Sequence, residues 1–233
     1  MTTPVYHPRL HTLRAVAFDL DGTLLDSLDD LADACNRTLL SAGFPSHPAE
    51  MYKVFVGDGV TQLVRRAVPE RVPDAEIPGL VRKLAEDYSR NWSNRTRPYD
   101  GIAEALAALS EHGLRLAVLS NKPHEFTELM VKHFFPDIDW AVIAGARAGV
   151  PLKPDPAAAL ALCSELGLPP DQTALVGDSG MDMAAASGAS LLAVGALWGF
   201  RDKAELQARG ANLFVSEPKS LIHALIPGPA RLS

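Results

Sequence analysis

Cysteine is nearly absent from the chain, with only Cys35 and Cys163 among 233 residues. Two isolated thiols exclude a disulfide scaffold and a thiolate zinc site, and both fall in helix-like apolar patterns suited to buried, reduced side chains. An excess of positive charge is also missing. Lys and Arg number 22 against 28 Asp and Glu, a formal charge of −6, which argues against a broad basic surface for nucleic acid or anionic lipid. No stretch approaches the ~18 consecutive apolar residues of a membrane span, and Met1–Arg14 lacks the apolar run of a signal peptide. A cytoplasmic protein with no nucleic-acid or membrane partner is therefore expected. Internal repeats with a period of roughly 20–50 residues are absent as well.

What the chain does hold is 47% hydrophobic residues. At this length, that suits one large α/β domain or a core with an inserted subdomain. The run Arg14-Ala-Val-Ala-Phe-Asp-Leu-Asp-Gly-Thr23 drives a short apolar strand into two acids one residue apart. Asp19 and Asp21 thus fall just beyond the carboxyl end of a strand, where open α/β sheets keep their ligands. Crowded carboxylates raise one another's pKa unless a cation or proton lies between them, so the pattern points to a metal or acid–base site.

After this strand, Ser27 and Asp30 have the spacing of a capping box. Leu28, Leu31, Ala32, Cys35 and Leu39 then recur at helical spacing until Gly43. Further helices fit Val60–Ala67 and Leu80–Tyr88, with no strand between about Asp26 and Thr96. The pattern predicts a helical cap over 26–96, inserted into a catalytic core formed by 1–25 and 97–233. Asp26 reads as a hinge or cap residue and not as a catalyst. Beyond Arg97, strands at Leu114–Leu119, Trp140–Ile143, Thr173–Val176, Leu191–Val194 and Asn212–Val215 alternate with helices. Such alternation implies a doubly wound, mostly parallel, Rossmann-like α/β sheet. Pro227–Ser233 reads as a loose tail.

Three more strand ends carry polar groups: Ser120-Asn121-Lys122, Lys153-Pro-Asp-Pro156, and Gly177-Asp178-Ser-Gly-Met-Asp182. Parallel strands share one carboxyl edge, so these groups can converge although distant in sequence. The set is coherent for phosphoryl transfer through an aspartyl-phosphate. A carboxylate can attack phosphorus and split hydrolysis into two easier steps, provided charge on the transferring oxygens is neutralised. Mg²⁺ suits such oxygen donors; Asp19 and Asp178 could ligate it while Ser120 and Lys153 hold the phosphate. Thr23 and Asn121 are further candidate phosphate-binding donors. Asp21 could protonate the leaving alkoxide and later deprotonate the attacking water.

Together, Asp19-Leu-Asp-Gly-Thr23, Ser120, Lys153 and Gly177-Asp178-Ser-Gly-Met-Asp182 resemble the four motifs of the haloacid dehalogenase-like (HAD) hydrolase superfamily, over nearly the whole chain. The resemblance implies Asp19 as nucleophile and Asp21 as general acid/base. It also implies Mg²⁺ held by Asp19, the backbone carbonyl of Asp21 and Asp178, with Asp182 one layer farther out. Phosphate contacts would come from Ser120 and Lys153. Within the superfamily the chain is similar to the bacterial phosphoglycolate phosphatases, through Asp19–Ser27, Val56-Gly-Asp-Gly59, Arg97-Pro-Tyr-Asp-Gly101, Ser120-Asn-Lys-Pro123, Lys153-Pro-Asp-Pro156 and Gly177-Asp-Ser179. Asp58 stands where that group often has Asn.

The implied partner is a small phosphorylated metabolite, and the protein is expected as a monomer or homodimer. The turn at Gly57–Gly59 opens a helix whose amides could receive an anion; Arg65 and Arg66 follow and could pair with a substrate carboxylate. Another sugar or organic-acid phosphate, or a β-phosphoglucomutase-like isomerisation, is the alternative chemistry. A receiver-type switch shares the acids, hydroxyl and lysine, but leaves Asp21 and the helical insert without a role.

Overall fold

The computed structural model describes residues 7–226. A 3-10 turn leads into β1 (Ala15–Phe18), whose four residues are all buried. The chain then passes through β2 (Leu25–Asp26) into four helices, α1 (Leu28–Ser41), α2 (Ala49–Phe55), α3 (Val60–Ala67) and α4 (Ile77–Asn91), and returns through β3 (Arg97–Pro98). The remainder alternates: α5 (Ile102–Glu111), β4 (Arg115–Pro123), α6 (His124–Phe134), β5 (Trp140–Ala146), α7 (Ala157–Leu166), β6 (Thr173–Gly177), α8 (Gly180–Gly188), β7 (Leu192–Ala196), α9 (Lys203–Ala208), β8 (Leu213–Val215) and α10 (Ser220–Leu225).

The six core strands are parallel, in the order β5-β4-β1-β6-β7-β8. From β1 the chain builds outward through β4 and β5, then returns to the other side of β1 at β6. Such a reversal opens a crevice at the strands' carboxyl ends. Asp19 follows β1 and Asp178 follows β6, so both acids lie at that crevice.

Strand alternation divides the core between the two faces of the sheet. Val16 and Phe18 pack with Leu106, Val118 and Val176 on one face. Ala15 and Ala17 join Leu162, Leu175 and Met183 on the other. With helices on both faces, the central strands can be apolar throughout. The four inserted helices enclose their own core, including Leu31, Cys35, Tyr52, Leu63, Leu80 and Leu84. Cys35 and Cys163 are buried and unpaired. Among the described residues, no helix is long and apolar enough to cross a membrane.

The chain enters and leaves the insert side by side, since β2 pairs antiparallel with β3, Asp26 opposite Arg97. The expected Ser27–Asp30 capping box does not form, because Ser27 makes no side-chain cap bond. Its hydroxyl donates to Asp21 instead. Asp30 Oδ2 accepts from the amides of Arg95 (2.9 Å) and Thr96 (2.8 Å) and from the Thr96 hydroxyl (2.8 Å), holding the end of the insert against its beginning. Helix α2 was not legible in the sequence. It has only seven residues, of which Tyr52 and Phe55 are buried, too few for a helical period to emerge. Pro227–Ser233 lies outside the described residues.

Leu106 is fully buried, whereas Leu40 is 60% exposed. Leu106→Ala should cost about 2–5 kcal/mol in denaturant unfolding, through lost transfer energy and a residual cavity. Leu40→Ser should stay within about 0.5 kcal/mol of wild type.

Candidate active site

Strand β1 delivers Asp19 to the crevice, and the Asp19 amide donates to the Val176 carbonyl at 2.9 Å, tying the loop to β6. The chain then turns tightly around the Leu20 carbonyl, which accepts from the amides of Leu24 (3.0 Å) and Leu25 (2.9 Å). Gly22 makes this turn at φ +86°, and a Cβ there would lie 2.3 Å from Asp178 Oδ2. Glycine is required both for its positive φ and for the close approach. The Asp178 carboxylate is thereby packed against the loop carrying the first two acids.

Asp178 Oδ1 accepts from the Thr23 hydroxyl at 2.9 Å, and Oδ2 from the Phe200 amide at 2.7 Å. Thr23 was expected to bind phosphate; it is instead fully buried with its proton directed at Asp178. Its role here is to orient a carboxylate. Trp198 Nε1 donates to the Thr23 carbonyl at 3.0 Å, so the loop after β7 braces the same turn.

Lys153 is almost completely enclosed. Its ammonium donates to the Leu119 carbonyl (2.7 Å) and Asp182 Oδ1 (2.6 Å) and lies 2.9 Å from Asp19 Oδ1. The last contact is an ion pair, and Asp19 Oδ1 has no other polar partner among the described residues. Asp182 has both oxygens engaged. Oδ2 accepts from the Ser179 amide (3.0 Å) and hydroxyl (2.6 Å) in a reciprocal capping box at the start of α8.

Asn121 departs from its expected phosphate contact. Its Nδ2 donates to the carbonyls of Gly57 and Lys153, each at 2.8 Å, while Oδ1 accepts from the Lys153 amide at 2.8 Å. With both ends occupied, it places Lys153 and fastens the insert's Gly57 turn to the core. Ser120 does face the cavity. Its Oγ accepts from the Lys122 amide at 3.2 Å, and the hydroxyl proton has no acceptor among the described residues.

The sequence reading gave Lys122 no role, yet it is the partner of Asp21. Its Nζ donates to both Asp21 oxygens, at 3.1 and 3.0 Å, and to the Tyr88 hydroxyl of α4 at 3.1 Å. Its position directly after Ser120-Asn121 was the available signal. Tyr88 had none, because its place in the Leu80–Leu84–Tyr88 period reads as core.

The electrostatics follow from this crowding. Burial, then the neighbouring Asp182 and Asp19, push the Asp178 carboxyl up to about 8. Burial and Asp182 push Asp19 up to about 6, against the opposing pull of Lys153. For Lys153 and Lys122, burial favours loss of the proton, but the adjoining carboxylates win and hold both ammoniums above the ordinary range.

Oxygens of Asp19, Asp178 and Asp182 lie within 4.8 Å of one another. Three carboxylates against the single ammonium of Lys153 leave a formal deficit of two positive charges, since Lys122 is matched by Asp21. Hard oxygen donors with that deficit fit Mg²⁺. Asp19 and Asp178 line the cavity whereas Asp182 lies behind it, held by Lys153 and Ser179, so Asp19 and Asp178 are the side chains suited to hold it. The Asp21 carbonyl, which accepts no hydrogen bond among the described residues, is also suited.

The core acids face a cavity of about 90 Å³, roofed by Val60, Leu63, Leu84 and Tyr88 of the insert. Since one water needs roughly 10–15 Å³ on this measure, the space suits a small molecule. Neither Arg65 nor Arg66 is directed at it. Arg65 pairs with Asp74 at 2.8 Å and donates to the Val72 carbonyl at 2.6 Å. Arg66 pairs with Asp58, which also neutralises the carboxylate beside the Gly57–Gly59 turn.

The model for haloacid dehalogenase-like hydrolases matches residues 16–196. A phosphoglycolate phosphatase of Pseudomonas putida is 34% identical over 226 residues, covering 93% of this chain and 80% of that one. One of Chromobacterium violaceum is 34% identical over 211 residues, covering 89% and 94%. Among solved structures, a predicted phosphoglycolate phosphatase from Haemophilus somnus superposes with TM-score 0.83 at 28% identity, over 91% of this chain and 97% of that one. Parallel-sheet topology, the acidic crevice and these matches together establish that the chain belongs to the haloacid dehalogenase-like hydrolases.

Proposed function

We propose that the chain is a Mg²⁺-dependent phosphomonoester hydrolase working through a phosphoryl group on Asp19, with 2-phosphoglycolate as its substrate. The observation that carries this reading is the contrast between two neighbouring acids. Asp19 has only the Lys153 ammonium, 2.9 Å away, at its buried Oδ1, while Asp21 is gripped by Lys122 and Ser27. The first is suited to attack and the second to handle a proton from a fixed position. Names of the relatives at 34% identity support the choice of ester.

Mg²⁺ held by Asp19, Asp178 and the Asp21 carbonyl would neutralise charge on the phosphate oxygens. Ser120 donates its free hydroxyl proton to the phosphoryl group, and Lys153 adds positive charge beside it. The Asp19 carboxylate then bonds to phosphorus as the ester oxygen leaves, and Asp21 supplies the proton that oxygen needs. In the second half, the Asp21 carboxylate takes a proton from water, whose oxygen bonds to phosphorus while the Asp19–phosphorus bond breaks. Inorganic phosphate leaves, and both acids return to their starting states. The apolar roof of the insert excludes bulk water during these steps.

Wild type should release inorganic phosphate from 2-phosphoglycolate in Mg²⁺ and lose that activity in excess chelator. Isomerisation without phosphate release would overturn the reading. Asp19→Asn should lower kcat by at least about 10³-fold, without lowering Tm in metal-free buffer, because it removes one charge from a crowded group. Asp21→Asn should lower kcat by roughly 10²–10⁴-fold, as expected for loss of a general acid/base.

Metal dependence of stability supplies a separate check. The ordinary carboxyl value of 3.8 is raised to about 6 for Asp19 and about 8 for Asp178, so the folded metal-free protein binds these protons more tightly than the unfolded chain. These two groups therefore leave it most stable at low pH and progressively less so as pH rises toward 8. The increase in Tm on adding Mg²⁺ should be larger at pH 8 than at pH 6. Thermal shifts independent of pH would contradict the assigned carboxylates.

A further inference from the structure

Among the described residues, two cationic side chains line the cavity between the core and the insert, Lys122 and Arg201. A substrate bearing a carboxylate as well as a phosphate requires a second anion receptor, away from Ser120 and Lys153. Lys122 is ill suited to that task, because its ammonium already contacts both Asp21 oxygens and the Tyr88 hydroxyl. Arg201 differs. Its Nη2 donates to the Val56 carbonyl at 3.0 Å and its Nε lies 3.4 Å from Glu205 Oε2. Nη1 has no acceptor among the described residues, although the side chain is only 16% exposed.

Place in the fold makes the uncommitted edge of this guanidinium significant. The preceding residue, Phe200, donates its amide to Asp178 Oδ2 at 2.7 Å, so Arg201 emerges directly beside the acidic crevice. It reaches across to the insert's glycine turn, where a Cβ on Gly57 would lie 3.9 Å from Nη2. Glu205 is itself anchored by the Gly180 amide at 2.9 Å. The guanidinium is thus oriented from both sides, with two N–H bonds of Nη1 left to donate to a ligand. A planar guanidinium edge is matched to a carboxylate.

We propose that Arg201 receives the carboxylate of the substrate, and that the core loop after β7, not the arginines of the insert, selects organic-acid phosphates over neutral esters. This inference rests on the phosphatase reading above and adds the residue that sets its specificity. A short acid fits best, because Asp19 and Arg201 border the same cavity of about 90 Å³.

The test compares 2-phosphoglycolate with ethyl phosphate, an ester of similar size lacking the carboxylate, on wild type, Arg201→Gln and Arg201→Lys. Wild type should prefer 2-phosphoglycolate. Arg201→Gln should lower kcat/KM for that substrate by about 10–100-fold, chiefly through KM, which is the worth of a charge-assisted hydrogen bond. Its kcat/KM for ethyl phosphate should stay within about threefold of wild type, and Arg201→Lys should recover part of the loss. An equal fall for both esters would mean that Arg201 merely straps Val56 to the core. That result, or a wild type indifferent to the carboxylate, overturns the inference and leaves the phosphatase reading standing. Failure of wild type to release phosphate from any ester overturns both.

Discussion

Three carboxylates confined with one ammonium are the constraint on which the rest of the structure depends. Asp19, Asp178 and Asp182 bring their oxygens within 4.8 Å of one another, and only Lys153 is interposed. Each acid alone would be a tolerable strand-end charge. Together they raise the pKa of Asp19 and Asp178 and create a demand for positive charge at one point. Neighbouring groups are arranged to hold that unfavourable cluster in place. Thr23 and the Phe200 amide fix Asp178, the Ser179 cap fixes Asp182, and Asn121 fixes the backbone of Lys153. A strained charge distribution of this kind is useful where phosphate and cation are to be gathered from dilute solution.

The parallel sheet makes the cluster possible. Its contributing segments span more than 150 residues of sequence, yet β4 and β6 flank β1 and all three end on one edge. Backbone clearance is as important as charge. Gly22 and Gly199 both lie where a Cβ would come within 2.3 Å of Asp178 atoms, so the loops after β1 and β7 close on that carboxylate from two sides. The insert completes the enclosure by contributing an apolar roof and the Tyr88 hydroxyl. Asn121 and Arg201 then bind consecutive carbonyls, Gly57 and Val56, across the same boundary.

Much of this arrangement was legible because strand ends in an open sheet are few and chemically conspicuous. Asp19, Asp21, Ser120 and Asp178 each follow an apolar run, and periodicity indicated the helices of the insert other than the short α2. Thr23 and Asn121 were expected to donate to phosphate, and their donors are instead taken by Asp178 and by the Gly57 and Lys153 carbonyls, since sequence shows which donors are near and not which acceptors engage them. Ser27 misled for a related reason. Its spacing to Asp30 matched a cap, while the folded chain offered Asp21 as a stronger acceptor. Tyr88 and Arg201 acquire meaning only when the insert lies over the core, a long-range contact with no local signature, while Lys122 was signalled only by its place after Ser120-Asn121.

Formation of a phosphoryl–Asp19 bond is the claim on which the chemistry turns. Rapid acid quench of wild type during turnover, followed by borohydride reduction and peptide mass spectrometry, reads it directly, because an acyl phosphate is reduced to the alcohol and an ordinary carboxylate is not. The account predicts conversion of Asp19 to homoserine in the turning-over enzyme alone. Unmodified Asp19 under conditions of steady phosphate release, or reduction at another carboxylate, would contradict it.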